Sequence, residues 1–341
     1  MMRNWLIFGA IALGLAIAPL LGAYPVFLMK LMCFALFACS LNLVLGYVGL
    51  LSFGHAAFFG TAAYTAGIML RDFGLHPEAA LVAGTLIGAA IGFLFGILAI
   101  RRKGIYFAMV TLALAQMVYF YFVQASFSGG EDGLQGVPRG SLFGLVSLDS
   151  DVTLYYVILA LTLAVFLFIN RVIDSPFGRV VRALHENEAR TISLGYDVDR
   201  LKLVAFALSA AIAGLAGAMK TLVLGFATLA DLHWTLSGTA ILMALLGGLG
   251  TRLGPVAGAV IVVSIETKLA TLGNWLADMT HVSQFSQLGE SVNLVTGVLF
   301  VCCVVLFRRG IVGEVEQRLI TLAKGHDAKA VKKRAIAQAS P

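Results

Sequence analysis

The sequence predicts an all-α polytopic membrane protein of about ten transmembrane helices, with one polar cytoplasmic helix set between them. Three observations carry that expectation. Hydrophobic residues make up 60% of the chain and charged residues 12%, with a mean hydropathy of +0.93; a soluble chain of this length does not have that composition. Apolar runs of about 20 residues recur, each about 30 Å long as a helix. They lack the period-two alternation of a β-barrel, so helices must satisfy their backbone in lipid. Finally, residues 171–202 hold 11 of the 42 charged residues (24 basic and 18 acidic) between two almost wholly apolar regions.

The spans fall at about 5–23, 26–45, 50–70, 78–100, 104–125, 152–170, 201–225, 235–249, 253–272 and 289–307. With the N-terminus inside, the inner segments carry 19 of the 24 Lys and Arg residues, including Arg101–Arg102–Lys103, six in 171–202 and eight after residue 307. The outer loops carry Arg71 and Arg139. This asymmetry places both termini and 171–202 in the cytoplasm. Lys30, Lys220 and Lys268 lie near outer span ends, where they are expected to snorkel to the interface. Residues 1–310 are thus the transmembrane domain, with the polar segment 171–200 inside it, and 311–341 are a basic cytoplasmic tail resting on anionic headgroups or disordered. The first span also fits a cleaved signal peptide, with Arg3 ahead of it and Leu21–Gly22–Ala23 at its end.

Residues 31–70 are apolar but punctuated by Gly46, Gly49, Ser52, Gly54, His55 and Gly60. Such spacing suits either close helix packing or a broken helix lining a cavity. Asn42 is expected to face other helices, and His55 to be a hydrogen-bonded packing residue ahead of a proton relay. Residues 126–151 are the longest outer loop, either a plain connector or a contact for an extracytoplasmic partner. From Ala205 to Ala218 the closely spaced small residues form a helix-contact surface. Residues 245–258 are a second Gly-rich break, in which Gly247 and Gly250 repeat the spacing of Gly46 and Gly49. Paired breaks in two halves mark a translocation path.

The polar stretch reads as helix. Ser175 is placed to cap it, with Pro176 at the first helical position. Phe177, Val180, Val181 and Leu184 form one apolar stripe, with Arg179, Arg182 and Glu186 off it. Asn187 restarts the helix and Gly195 stops it. The stretch is either a solvated loop between spans or a docking surface for a soluble partner.

Several chemistries are excluded. Cys33, Cys39, Cys302 and Cys303 lie in apolar runs and make no metal or redox motif. Gly-Lys occurs nowhere, so the chain has no phosphate-binding loop of its own. Glu266 is the one carboxylate well inside an apolar run, too little for coupling to protons or sodium. No nucleophile–base pair suggests catalysis. A helical bundle with a docking element and no engine fits an external ATPase.

Specific stretches then carry a resemblance. They are Ser40–Leu41–Asn42 with Gly46–Tyr47, the run Leu51 to Phe58, Phe177–Gly178–Arg179 with Ala183, and Glu186–Asn187–Glu188 through Leu194–Gly195. Further ones are Lys202 with Ala205–Phe206, Ala213 to Gly217, and Gly247 to Gly250 with Gly254–Pro255. Over about residues 31–313 these resemble the permease subunits of bacterial branched-chain amino acid ABC importers, of the LivM type. The resemblance implies that Glu188 to Gly195 is the ATPase-coupling segment, with Arg179, Arg182, Glu186, Glu188, Leu194 and Gly195 as coupling residues; Arg190 and Thr191 stand where relatives carry small residues. Asn42, Gly46, Gly49, Ser52, His55, Gly247 and Gly250 are the candidate translocation path. The implied partners are a second related permease, two ABC ATPase subunits that hold ATP and Mg, and an extracytoplasmic substrate-binding protein, all at the bacterial inner membrane. No cofactor or metal is expected in this chain. Leucine, isoleucine and valine are the default cargo; urea or short amides, or ATP-independent facilitation, are the alternatives.

Overall fold

A computed structural model describes residues 9, 13–22, 24–280, 297–298, 301 and 310–314, with side chains excluded at 20 and 270–280. Most of the predicted span 289–307, Cys302, Cys303, the first residues of the leading span and most of the basic tail lie outside the described residues. The chain divides into two compact units after Leu242.

The first unit opens with a helical turn, Ala18–Leu21. Helix α1 (Pro25–Asn42) starts with Pro25 in its first turn and runs into a six-residue π-helical segment, Leu43–Val48. Gly49, at φ +84°, ends it. A left-handed backbone here is cheap for glycine and costs other residues about 1–2 kcal/mol. Residues 50–54 are not helical, and α2 (His55–Arg71) then begins. The Gly-punctuated stretch is therefore a broken helix.

Helices α3 (Pro77–Ala99) and α4 (Ile105–Gln124) follow. The outer loop then makes a small antiparallel hairpin of β1 (Ser141–Leu142) and β2 (Val146–Ser147). Helix α5 (Asp151–Asp174) leads into the polar segment, α6 (Pro176–Glu186) and α7 (Glu188–Ser193). Helix α8 (Val198–Leu224) packs against α1, α2 and α3.

The small residues explain that packing. A Cβ at Gly88 of α3 would lie 2.9 Å from the Ala210 carbonyl and the Gly214 Cα of α8, and one at Gly217 would collide with the Phe59 backbone of α2. Backbones meet at distances only glycine and alanine permit, and the contact replaces the hydrophobic drive that lipid removes. Most of α1 is buried, whereas α3, α4 and α5 expose Leu86, Leu94, Met117, Phe120 and Phe168 along apolar faces. Five described helices are long and apolar enough to cross a membrane: α1 with its π segment, α3, α4, α5 and α8.

Helix α9 (Trp234–Gly247) crosses into the second unit, where α10 (Gly254–Thr280) follows. Between them Gly248 and Gly250 take φ of +120° and +69°. Thr251 Oγ1 donates to the Gly248 carbonyl at 2.7 Å and accepts from the Gly254 N–H at 3.1 Å. The second predicted break is a real one.

Candidate coupling and translocation site

The polar segment forms as its sequence dictates. Ser175 Oγ accepts from the Gly178 N–H at 3.2 Å, and Pro176 occupies the first helical position. Val181 and Leu184 of the stripe are buried, with Phe177 and Val180 half-buried. Asn187 Oδ1 accepts from the Arg190 N–H at 3.0 Å and starts α7. Gly195, at φ +84°, terminates it, with its N–H on the Ile192 carbonyl at 2.9 Å.

The segment packs on the broken helix. The Arg182 guanidinium stands 5.1 Å over the Tyr47 ring, a cation–π contact. A Cβ at Gly49 would lie 2.9 Å from His185 Nδ1, so the imidazole fills the space a side chain would take. Two residue groups that the sequence treats separately, Arg182 and the Gly46–Gly49 stretch, are thus brought together. His185 is an addition that helical periodicity could not supply, since its partner lies far away in sequence.

Glu188 turns inward. Its carboxylate accepts from Lys103 Nζ at 2.8 Å and Lys202 Nζ at 3.2 Å. The Lys103 hydrogen bond is the main reason its pKa is held below the ordinary carboxylate range, with Lys202 adding to it against the cost of burial. The same bond raises Lys103. Glu188 therefore ties α7 to the loop before α4 and to the first turns of α8. What faces outward is Arg179, Glu186, Arg190 and Gly195, together with Ile192, Leu194 and Tyr196, while Arg182 reaches from the exposed flank onto Tyr47. Leu194 is 67% exposed in a polar setting, the pattern of a protein contact.

Across the break, Ser52 is buried and its Oγ accepts from the Gly54 N–H at 3.1 Å. The Ala56 N–H, at the start of α2, donates to Ser237 Oγ at 2.8 Å. Asn42 is buried, as expected. His55 is fully buried, with Nε2 2.8 Å from Ser209 Oγ. Ser209 donates to the Ser40 carbonyl at 2.5 Å, so its oxygen accepts and Nε2 carries the hydrogen. Among the described residues Nδ1 has no hydrogen-bond partner, which leaves a packing residue between Phe58 and Phe206 with no onward path for a proton. Gly247 and Gly250 belong to the second unit.

One expectation is overturned. Lys220 does not snorkel to the interface; its side chain is 5% exposed and its Nζ lies 2.6 Å from Asp231 Oδ2. The Thr228 N–H and hydroxyl donate to the same oxygen at 2.9 and 3.2 Å. The signal in the sequence was Thr228 three residues before Asp231, a capping pair that turns a loop carboxylate inward.

Residues 23–304 match the family described as branched-chain amino acid transport system / permease component. The chain is 32% identical over 255 residues to the high-affinity branched-chain amino acid transport system permease protein LivM of Salmonella typhimurium. It is 31% identical over 255 residues to the Escherichia coli protein of the same description. Each alignment covers 68% of this chain and 60% of the relative. A probable branched-chain amino acid transport permease protein LivM of Methanocaldococcus jannaschii is 25% identical, over 67% of this chain and 76% of that one. The chain thus spans about 60% of the length of the two enterobacterial relatives. No solved structure matches it. The chain belongs to this permease family, a family of transport components rather than enzymes.

Proposed function

We propose that the chain is the membrane-spanning permease of an ATP-driven importer of branched-chain amino acids in the bacterial inner membrane. It would have about ten spans, both termini in the cytoplasm, and a cytoplasmic tail from residue 311. Its partners are a second related permease, two ATPases that hold ATP and Mg, and a substrate-binding protein. One observation carries the reading: α6–α7 is seated on the broken helix at Tyr47 and Gly49 while its far side exposes Arg179, Glu186 and Leu194. A soluble ATPase held by the far side would act directly on the break.

The transmission has three contacts. Closure of the ATPases pushes α6, and His185 and Arg182 press on Gly49 and Tyr47. Glu188 carries the same displacement to Lys103 and Lys202, at the ends of α4 and α8. The π segment and the first break flex, and the path past Asn42, Gly46 and Ser52 changes its accessibility; the second break, at Gly247 and Gly250, is a flexing point within its own unit. This supports gating by the two breaks, with His55 holding α2 to α8.

The test is uptake into vesicles carrying the purified complex. Labelled leucine, isoleucine and valine should accumulate only with ATP inside and binding protein outside. Accumulation of urea or short amides instead would reassign the cargo, and flux without ATP would make the chain a facilitator.

A further inference from the structure

The β1–β2 hairpin of the 126–151 loop carries an apolar tip that nothing within the chain covers. Phe143 is 70% exposed and Leu145 87%, with Val146 exposed beside them. No residue from Leu142 to Val146 has a polar side chain. The turn is closed by the Leu145 N–H on the Leu142 carbonyl at 3.0 Å. Its two central residues, Phe143 and Gly144, take left-handed φ of +51° and +70°. Turns of this kind favour Asn-Gly or Asp-Gly. Among the described residues Phe143 is the one non-glycine with a positive φ. An aromatic ring is thus held out at a position where a polar residue would cost less.

The hairpin has a fastened base and a fixed place on the bundle. Leu148 is buried, and its N–H donates to the Gly140 carbonyl at 3.0 Å. Arg139 Nη1 donates to Asp151 Oδ1 at 2.6 Å, and Ser147 Oγ to Asp149 Oδ2 at 2.6 Å. These polar groups meet one another at the base and leave the tip apolar. The Phe143 N–H donates to Glu78 Oε1 at 3.2 Å, and a Cβ at Gly140 would lie 3.4 Å from Pro77 Cδ. Pro77 and Glu78 open α3. Below Glu78, the exposed Val82, Leu86, Phe93 and Ile97 continue along one face of α3, the face that lipid covers. The far end of α3, about 34 Å away, leads to Arg101, Arg102 and Lys103, the last of which pairs with Glu188 of α7. Charge marks that boundary of the spans, and the hairpin stands at the other. Phe73 and Leu75, exposed just ahead of Pro77, flank the same corner.

We propose that the hairpin tip is a membrane anchor, with Phe143, Leu145 and Val146 inserted at the headgroup–acyl boundary of the leaflet opposite α6–α7. Aromatic and aliphatic side chains are favoured at that depth. A soluble protein partner is met by apolar groups mixed with hydrogen-bonding ones. This tip offers apolar groups alone, and it continues a surface that lipid already covers. The anchor holds the start of α3 and its loop against the bilayer while the α6–α7 end of the bundle moves.

Tryptophan reporters test this in the complete importer, reconstituted in phosphatidylcholine vesicles. Phe143→Trp and Leu145→Trp keep an apolar side chain at the tip. Leu145 lies outside the left-handed pair, so its reporter stands even where the change at 143 disturbs the turn. Leu86→Trp, about 12 Å further along α3, calibrates the acyl region, and Glu131→Trp, exposed in the same loop, calibrates water. The emission that the tip reporters add to that of the native chain should be blue-shifted and quenched by lipids brominated high on the acyl chain. It should be several-fold less sensitive to aqueous iodide than emission from position 131, and unchanged by the loaded binding protein. Iodide quenching equal to that at position 131 would put the tip in water and overturn the proposal. Protection from both quenchers, or protection that appears only with the binding protein, would assign the tip to a protein contact and overturn it equally.

Discussion

The two ends of α8 handle charge in opposite ways. At the first end Lys202, itself 6% exposed, shares Glu188 with Lys103, and the Glu188 and Lys103 side chains, at 31% and 72% exposed, open the cluster to water. At the other end, about 27 Å along the axis, Lys220 meets Asp231 with both side chains under a tenth exposed. Water and salt screen the first cluster and barely reach the second. The wet cluster can loosen and reform during a cycle, which suits a strut between a moving segment and the spans. The dry pair cannot be opened without stranding a buried charge, which suits a fixed tie between α8 and the 225–233 turn.

Breaking the dry end should have the largest effect. Asp231→Asn leaves a buried ammonium unpaired, and such losses run to about 3–5 kcal/mol. Thermal unfolding in detergent should show it, and addition of Lys220→Met should recover much of the loss, because an uncharged pair strands no charge.

Gly49→Ala comes next. Its left-handed backbone would cost about 1–2 kcal/mol in an alanine, and the new methyl meets the His185 ring. Uptake should fall while the complex still assembles, and His185→Ala should return the part due to the clash. Normal uptake by Gly49→Ala would remove the break from the gating path.

Glu188→Gln should cost least in stability, a shift of roughly 2–4 °C or less in melting, as for partly exposed pairs. Unlike the dry end, its effect should be reproduced in the unaltered chain by high salt. Its pH dependence follows from the lowered pKa of Glu188. The folded carboxylate holds its charge below the ordinary value, so its contribution is complete at neutral pH. It is lost as pH falls below the ordinary glutamate range, through the folded value. Melting between pH 6 and 8 should therefore show no pH dependence from this group, and titration into acid should weaken the seat of α7.

Much of the polar segment was legible because its signals are local. The Ser175 cap, Pro176, the Asn187 restart and the Gly195 stop each act within four residues. The spans at α1, α3, α4, α5 and α8 and the small-residue surface of α8 were legible for a related reason, since composition over one helix length decides them. The contacts that give the site its chemistry were not. His185 meets Gly49, and Glu188 meets Lys103, across long stretches of chain that no periodicity links. Lys220 was misjudged because an amphipathic residue near a span end snorkels unless a carboxylate folds back to it, and that return depends on the 225–233 turn.

The most direct test of the account is whether the outer side of α6–α7 holds an ATPase. The native chain and a Leu194→Asp variant should be purified gently from membranes and their partners quantified. Leu194 is exposed and bears no internal contact of the kind Glu188 makes, so its replacement should leave the chain's own melting within about 0.5 kcal/mol. The account predicts ATPase subunits with the native chain and at least about a tenfold lower yield with the variant. Equal recovery from both, or none with the native chain, would contradict it.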